Sequence, residues 1–363
     1  MTRKSHDRMD LIPLHRVAIV RAFAQFLADV DAPVERGFRQ AGLPYCALEN
    51  VDNYVPSDRF WAFLVNMAHG EGVEDLGFRV GQTFGANGAD PNLVKLLRQS
   101  PTLYHGLLKA SELTNKTVSR CRLGILQPPR CERAYFYHHP SCDARNPAID
   151  QIGWFGLMTL IGMVRVFAGP QWQPSEIGLM TDHTPCRYIR EQFPGARIRL
   201  SKQCSYVALD NALLSLPPLL PETATPASPP FHYEVLSKDF VGSLKQTLLA
   251  YINERNLNIE LAAALCNTSK RALQRNLSKM GTGYSEVLDH VRFTAACRML
   301  EDPNMKVTDV SNQLGYSDPT HFSRAFRRIA GTNPKQYRQG YSQHCSKHAP
   351  VADCSVDLSH TGH

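Results

Sequence analysis

Residues 259–277 read IELAAALCNTSKRALQRNL, and residues 307–326 read VTDVSNQLGYSDPTHFSRAF. Each stretch predicts two short helices joined by a tight turn, because apolar residues recur at helical spacing on both sides of a break. In the first stretch Ser269 is a good N-cap for the second helix. In the second, Gly315 provides positive φ for the turn, and Pro319 suits the first turn of the helix after it. The constant offset between the stretches indicates an internal duplication.

The order helix, short turn, helix is that of the helix-turn-helix, whose second helix lies in the major groove of DNA. In both copies this second helix has an apolar pair on one face and polar side chains on the other. Arginine forms bidentate hydrogen bonds with guanine and glutamine with adenine, while threonine and histidine contact either bases or phosphates. The predicted base-reading residues are therefore Arg271, Gln274, Arg275, Thr320, His321 and Arg324.

Other polar residues near the two motifs are candidates for phosphate contacts, which position a protein on DNA without reading sequence. The alternative for all these side chains is an ordinary solvated helix face. The phosphate candidates are Ser269, Lys270, Lys279, Ser317, Arg327, Arg328 and Lys335.

An apolar stripe from Tyr284 to Leu300 predicts a linker helix between the two motifs. A rigid linker would set the spacing of the two recognition helices. We therefore expect them to enter successive major grooves about 34 Å apart.

Three motifs follow one another in the last third of the chain: S-x-R-x-L-Q-R from Ser269, L-G-Y-S-x4-F-S-R-A-F from Leu314, and G-T-N-P-K-x-Y-R ending at Arg338. Together they resemble the DNA-binding domain of the AraC/XylS transcription regulators. The resemblance implies base-reading positions at the six residues above and at Pro319, which would read shape or a thymine methyl. It also implies RNA polymerase as a partner. Asn267 stands where the family usually has glycine.

Residues 11–215 predict an α+β domain in which helices come first and a ββαβαββ section follows. We expect an all-α C-terminal domain after it, with two helix-turn-helix motifs joined by the linker helix. The predicted helices of the α+β domain are residues 17–30, 34–41, 58–69 with Ser57 as N-cap, 75–84, 93–99, 103–117, 148–168 and 185–192, and its predicted strands are residues 120–127, 133–139, 176–181, 196–201 and 205–209.

Composition places the domain boundaries. Six prolines fall within residues 216–232, which we expect to be a semi-rigid linker. The DNA-binding domain is predicted at residues 233–341. The polar residues 1–10 and 342–363 are predicted to be disordered.

The N-terminal domain also carries shorter motifs, G-P-Q-W-x-P from Gly169, F-P-G from Phe193 and L-D-N-A-L-L from Leu209. These resemble the N-terminal domain of one AraC-family branch, which implies sensing of a small-molecule effector or dimerisation, so a homodimer is left open. No effector-binding residue is predicted. Five aromatic residues either line a ligand pocket or fill the core: Trp61, Tyr135, Tyr137, Trp154 and Phe155.

The 363-residue chain has a net charge of +7, and residues 231–340, with 15 Lys+Arg and 10 Asp+Glu, contribute +5 of it. A basic C-terminal part on a nearly neutral body favours an anionic partner. No secretory signal opens the chain, and the apolar run 152–168 contains Arg165 and is shorter than a membrane span. Ten cysteines without a CxxC pair do not indicate a zinc site. We expect a cytoplasmic, nucleoid-associated protein that does not bind membranes.

No catalytic triad, carboxylate pair, phosphate loop or dinucleotide fingerprint is discernible. We therefore expect no enzyme activity, no cofactor and no metal, even at the His138–Cys142 run of potential ligands. Two alternatives remain open. One is an architectural DNA-binding protein without a sensing role, and the other is an enzyme domain in residues 11–215 fused to a DNA-binding module. The sequence leaves open the effector, the operator and whether the protein activates or represses.

Overall fold

The computed structural model describes residues 11–86, 91–119, 121–140, 142–220, 236–254, 257–316 and 318–345. Contacts divide the chain into two compact units, one ending at Tyr284 and the other beginning at Ser285. Residues 1–10, most of the predicted linker, Ser317 and the end of the predicted tail lie outside the described residues.

The first unit opens with helices and one small sheet. Its first two strands, β1 (Leu14–Arg16) and β2 (Tyr54–Pro56), pair antiparallel. They were not predicted, since three-residue strands are too short to show alternation. The helices around them confirm the predicted helical section and are α1 (Val17–Asp29), α2 (Val34–Ala41), α3 (Ser57–Gly70), α4 (Leu76–Ala86), α5 (Pro91–Arg98) and α6 (Leu103–Thr117).

One detail of α3 differs from the prediction. Ser57 makes no capping hydrogen bond, because it is the first helical residue and Pro56 occupies the N-cap position. The Ser57 hydroxyl instead lies 2.7 Å from Nδ1 of His15. The prediction of Ser57 as a helix cap is therefore wrong, and its side chain ties α3 to β1.

The second half of the N-terminal domain has the predicted ββαβαββ order. The elements are β3 (Cys121–Leu126), β4 (Arg133–Pro140), α7 (Ile149–Ala168), β5 (Glu176–Gly178), α8 (Arg187–Gln192), β6 (Arg197–Arg199) and β7 (Ser205–Asp210). The strands form a five-stranded sheet of order β3-β4-β7-β5-β6, whose one parallel pair is β5 with β6. This confirms the α+β class.

Helix α7 is the central element of this core. By length and hydropathy it could cross a membrane, but 67% of its apolar window is buried inside the protein, as is typical of a core helix. A Cβ built on Gly77 of α4 would come within 2.0 Å of the Gln151 carbonyl oxygen, so glycine permits the close approach of α4 to α7. The Gln151 side chain completes this junction by accepting a hydrogen bond from Gly77 N at 2.7 Å.

The N-terminal domain holds the chain beyond residue 215. Leu103 N donates to Leu216 O at 2.8 Å, and Leu219 N donates to Val166 O at 3.1 Å. The first residues of the predicted linker are thus fixed to the domain. Residues 221–235 lie outside the described residues.

The first helix-turn-helix belongs to the first unit. It consists of α10 (Ile259–Leu265), a turn and α11 (Lys270–Lys279), and it follows α9 (Phe240–Ala250). Leu273 and Leu277 of α11 are fully buried, as their i, i+4 spacing predicts. The backbone of Asn267 in the turn has φ of 51°, the left-handed conformation that asparagine tolerates.

The second unit contains the second helix-turn-helix. Its elements are the linker helix α12 (Tyr284–Leu300), whose first residue still belongs to the first unit, α13 (Val307–Gln313), α14 (Pro319–Ala330) and α15 (Pro334–Cys345). The ring of Phe326 lies 5.0 Å from Phe293 and 5.4 Å from Tyr337, which joins α14 to α12 and α15. Helix α15 continues to Cys345, past residue 341 where the DNA-binding domain was predicted to end. The all-α prediction is confirmed.

Candidate nucleic-acid interface

Both helices of the first helix-turn-helix begin with a side-chain cap. The Asn258 side chain accepts a hydrogen bond from Leu261 N at 2.9 Å, and Ser269 Oγ accepts one from Ala272 N at 3.3 Å. Such caps satisfy amides that have no partner within the helix. The start of recognition helix α11 is therefore well defined.

The exposed face of α11 carries the predicted base-reading residues. Arg271, Gln274 and Arg275 are exposed, opposite the buried Leu273 and Leu277. The three exposed side chains make no hydrogen bond to any described residue. Their donor and acceptor groups are therefore available to a partner.

The second recognition helix, α14, is built in the same way. The Asp318 side chain caps it by accepting a hydrogen bond from Thr320 N at 2.7 Å, and Pro319 follows in the first turn. That backbone hydrogen bond is the main cause that lowers the pKa of Asp318. Gly315 in the turn has φ of 76°. Sequence and geometry agree on where α14 begins.

The outer face of α14 holds the second predicted set. Thr320, His321 and Arg324 are exposed, and Pro319 is partly buried. The side chains of His321 and Arg324 make no hydrogen bond within the part of the chain that the structure describes, whereas the Thr320 side chain is hydrogen-bonded to Asp318. All seven predicted base-reading residues therefore lie on the recognition helices, six of them on exposed faces.

A cation–π contact fixes the turn that precedes α14. The guanidinium carbon of Arg292, on α12, lies 4.9 Å from the centre of the Tyr316 ring. Tyr316 in turn packs against Phe322, with ring centres 5.5 Å apart. Such contacts contribute about 0.5–2 kcal/mol. The linker helix thus supports the second recognition helix directly.

Two of the predicted phosphate-contacting side chains are already paired. Lys270 Nζ lies 2.6 Å from Glu260 Oε1, a bond that lowers the pKa of Glu260. Arg328 forms an ion pair with Asp289 of α12. Both basic groups remain accessible, but DNA would have to compete with a carboxylate for each of them.

The remaining phosphate candidates differ in what their side chains do. Arg327 and Lys335 are exposed and make no hydrogen bond to a described residue, whereas the hydroxyl of Ser269 caps α11. Lys279 is exposed at the end of α11. Ser317 lies outside the described residues.

Within the described residues, no group of three or more His, Cys, Asp or Glu side chains is arranged to hold a metal ion. His138 and His139 belong to strand β4, and Cys142 follows that strand. Burial raises the pKa of the Cys142 thiol to about 11. The thiol therefore stays protonated at neutral pH, a form that binds metals poorly.

Comparison with known families explains why these parts occur together. A model of the helix-turn-helix domain matches residues 261–340. A model described as the arabinose-binding domain of the AraC transcription regulator, N-terminal, matches residues 32–218, just over half of the chain. The chain belongs to the AraC family of transcription regulators.

Individual AraC-family relatives match over shorter lengths. The ornithine utilization regulator of Pseudomonas aeruginosa is 39% identical over 82 residues, which are 23% of this chain and 24% of that protein. The activator RhaS of Escherichia coli is 33% identical over 97 residues, 26% of this chain and 35% of its own. The chain therefore spans about a quarter to a third of these curated relatives.

One solved structure aligns along most of this AraC-family chain. It is the transcriptional regulator CdpR from Pseudomonas aeruginosa, which is 18% identical. The alignment covers 89% of this chain and 98% of CdpR, with a TM-score of 0.40.

In this AraC-family chain the turn of the first helix-turn-helix contacts the N-terminal domain. Asn267 Nδ2 donates to Asp58 Oδ2 at 3.0 Å, and Arg59 Nη2 donates to Ala264 O at 3.3 Å. Asp58 and Arg59 lie in the first turn of α3. Because these contacts join residues more than 200 positions apart, no local pattern in the sequence predicts them.

A second contact joins α9 to the end of α2. Tyr251 Oη donates to Gly42 O at 2.9 Å, and the tyrosine is only 2% exposed. Burial raises the pKa of Tyr251, so the hydroxyl keeps its proton. The DNA-binding helices of the first unit are therefore attached to the N-terminal domain at α2 and α3.

Proposed function

We propose that this chain is a sequence-specific DNA-binding transcription regulator that acts on the chromosome in the cytoplasm, with RNA polymerase as a partner. The observation that supports this most strongly is the pair of capped recognition helices, α11 and α14. Each of them presents unpaired polar side chains opposite a buried apolar pair. A helix of this kind suits the major groove, where base edges display donors and acceptors.

The two recognition helices differ in chemistry. On α11, Arg271 and Arg275 suit guanine and Gln274 suits adenine, each through two hydrogen bonds. On α14, Thr320 and His321 can each form one hydrogen bond with a base, and Arg324 can donate two hydrogen bonds to a guanine. The first recognition helix is therefore expected to contribute more to sequence preference.

Arg275→Ala tests the base-reading role. Duplexes are first selected from a random-sequence pool by the wild-type chain, and affinities are then measured by fluorescence anisotropy. Losing a bidentate contact should cost about 1–3 kcal/mol and relax the preference at one base pair. Arg36→Ala is the matched control, since Arg36 is an exposed arginine of α2.

Two outcomes would count against the proposal. Equal affinity and preference for Arg275→Ala and Arg36→Ala would remove Arg275 from the reading set. If the wild-type chain selects no sequence and its affinity follows salt concentration alone, the chain is an architectural DNA-binding protein.

We also propose that a small molecule bound by the N-terminal domain controls DNA binding. The support for this is the contact between α3 and the turn before α11, because a shift of α3 would move the start of the recognition helix. An effector changes DNA affinity only to the extent that it binds one arrangement better than the other. Thermal-shift screening of metabolites against the full chain, followed by anisotropy with each hit, tests this. Stabilising hits that never alter DNA affinity would refute it.

A further inference from the structure

A cavity of about 700 Å3 lies within the N-terminal domain. Its walls come mainly from α1, α3, α6 and α7, with contributions from α4, α5, β1, β3, β4 and the residues before β2. Pockets for small molecules are usually about 300–1,000 Å3, so the cavity has room for a ligand. Most of the lining is apolar, and its larger side chains include Ile19, Phe60, Leu113, Phe155, Leu160 and Met163.

The charged side chains of the cavity lining, Arg16, Arg21 and Asp52, lie in β1, in α1 and just before β2, and none lies on α6 or α7. Arg16 Nη2 lies 2.6 Å from Asp52 Oδ1, so these two charges neutralise each other. Arg21 is exposed to solvent on α1. The apolar wall formed by α6 and α7 therefore has no charged group that would balance a buried ion.

The uncharged polar side chains of the lining are two histidines, Gln25 and three threonines (Thr114, Thr117 and Thr159). Gln25 is bonded to Asp29, and Thr117 and Thr159 donate to backbone carbonyls of their own helices. His15 is bonded to the Ser57 hydroxyl at 2.7 Å, whereas Nδ1 of His138 is buried without a hydrogen-bond partner among the described residues. The His138 ring packs so closely on Gly156 that a Cβ there would come within 2.6 Å of Nδ1. Burial lowers the pKa of each histidine to about 4. Both are therefore neutral near pH 7 and offer one hydrogen-bond donor or acceptor at each nitrogen.

We propose that this cavity is the effector site, and that its ligand is an uncharged, largely apolar small molecule with one hydrogen-bonding group directed at His138 and His15. The assignment as an effector site rests on the proposed function above. A free sugar does not fit this chemistry, because the lining is mostly apolar and most of the sugar's hydroxyl groups would be buried without hydrogen-bond partners. An unpaired histidine in an apolar cavity, by contrast, gains a partner when such a ligand binds.

The cavity shares α3 with the DNA-binding contact. Phe60 and Leu64 line the cavity from this helix. Directly before Phe60, Asp58 is hydrogen-bonded to Asn267 and Arg59 to a backbone carbonyl of α10. A ligand that presses on α3 therefore acts on the helix that holds the first helix-turn-helix.

A pair of matched fluorescent probes tests the ligand class on the full chain. N-phenyl-1-naphthylamine is uncharged, and 1-anilinonaphthalene-8-sulfonate has the same ring system with a sulfonate. We expect the uncharged probe to bind at least about tenfold more tightly, because the apolar wall formed by α6 and α7 has no cation to balance the sulfonate and Arg21 lies at the solvent-exposed side. L-arabinose should not displace it. Tighter binding of the sulfonate, or displacement by arabinose, would overturn the assigned ligand class.

Substitutions in α1 test the location. Ala22→Trp fills the cavity and should abolish probe binding, while Ala28→Trp places the same side chain on the exposed side of the same helix and should leave binding unchanged. Ile19→Trp provides a second filling variant, and circular dichroism checks that each variant is folded. Unchanged probe binding in a folded filling variant would place the probe elsewhere and refute the site.

His138→Leu tests the polar contact. Naphthol and naphthalene compete with the fluorescent probe and differ by one hydroxyl. Wild-type protein should prefer naphthol by up to about tenfold, the effect of one hydrogen bond, and His138→Leu should lose this preference while retaining naphthalene. The same preference in both proteins would remove His138 from the site.

Measuring whether the chain selects a DNA sequence distinguishes a wrong cavity assignment from a wrong regulator proposal. If no probe binds but the chain still selects a DNA sequence, only the cavity assignment falls. If the probes bind as expected but no DNA sequence is selected, the cavity remains a ligand site and the regulator proposal fails.

Discussion

Tyr251→Phe probes the attachment of α9 to the N-terminal domain. The change keeps the ring, which is 2% exposed, and removes only the hydroxyl that donates to Gly42 O over 2.9 Å. A neutral hydrogen bond contributes about 0.5–1.5 kcal/mol, and the cost rises toward about 3 kcal/mol when the remaining group has no partner. Gly42 is exposed, so water can replace the lost donor. We therefore expect the free energy of unfolding of the first unit to fall by about 1 kcal/mol.

Urea denaturation measures this change. Trp61, Trp154 and Trp172 are all the tryptophans of the chain and all lie in the first unit, so their fluorescence reports its unfolding. The control is Tyr45→Phe, because Tyr45 is 52% exposed and its hydroxyl has no hydrogen-bond partner among the described residues. If both variants unfold at the same urea concentration, the Tyr251 bond contributes nothing and the reasoning about the attachment is wrong.

Three further predictions concern the second unit. Phe326→Ala should lower its free energy of unfolding by about 3–5 kcal/mol, measured by urea denaturation, because the ring is 2% exposed and central to the core. Because the pKa of Asp318 is lowered in the folded protein, its capping carboxylate stabilises α14 above the usual aspartate pKa. This stabilisation is lost as the pH falls through the pKa that Asp318 has in the folded protein. Asp318→Asn should remove this loss of helix at acid pH, which circular dichroism measures. Arg327→Ala should reduce the slope of log DNA affinity against log salt concentration by the amount that corresponds to about one phosphate contact. Arg328→Ala should change this slope less, since Arg328 is paired with Asp289.

The helix-turn-helix motifs were predictable because their signals are local. Ser269 as a cap, Gly315 at positive φ and the buried pair Phe322 and Phe326 each follow from a few neighbouring residues. The order of the N-terminal elements was also predictable, since helical and strand periods alternate clearly along that part of the chain. The roles of the exposed side chains on DNA stay a prediction.

Long-range features could not be predicted in the same way. His15 and His138 are more than 100 residues apart, and nothing near either one indicates that both line one cavity. Of the five aromatic residues considered for a pocket, Phe155 lines this cavity, whereas Trp154 packs in the core against Phe78. Periodicity places both aromatic residues on α7, but only the packing of other elements decides which face borders a void.

The contact between α3 and the first helix-turn-helix limits how an effector can act. Asn267 is held by Asp58, yet Arg271, Gln274 and Arg275 of α11 remain exposed, so the N-terminal domain does not cover the base-reading face. The arrangement therefore does not favour a mechanism in which the N-terminal domain regulates DNA binding by blocking the base-reading face of α11. Asn267 lies in the turn that sets where α11 begins, and moving it would displace the whole recognition helix without altering its side chains. We accordingly expect an effector to change the affinity for DNA while leaving the preferred sequence the same, and an effector-dependent change in that sequence would contradict this mechanism.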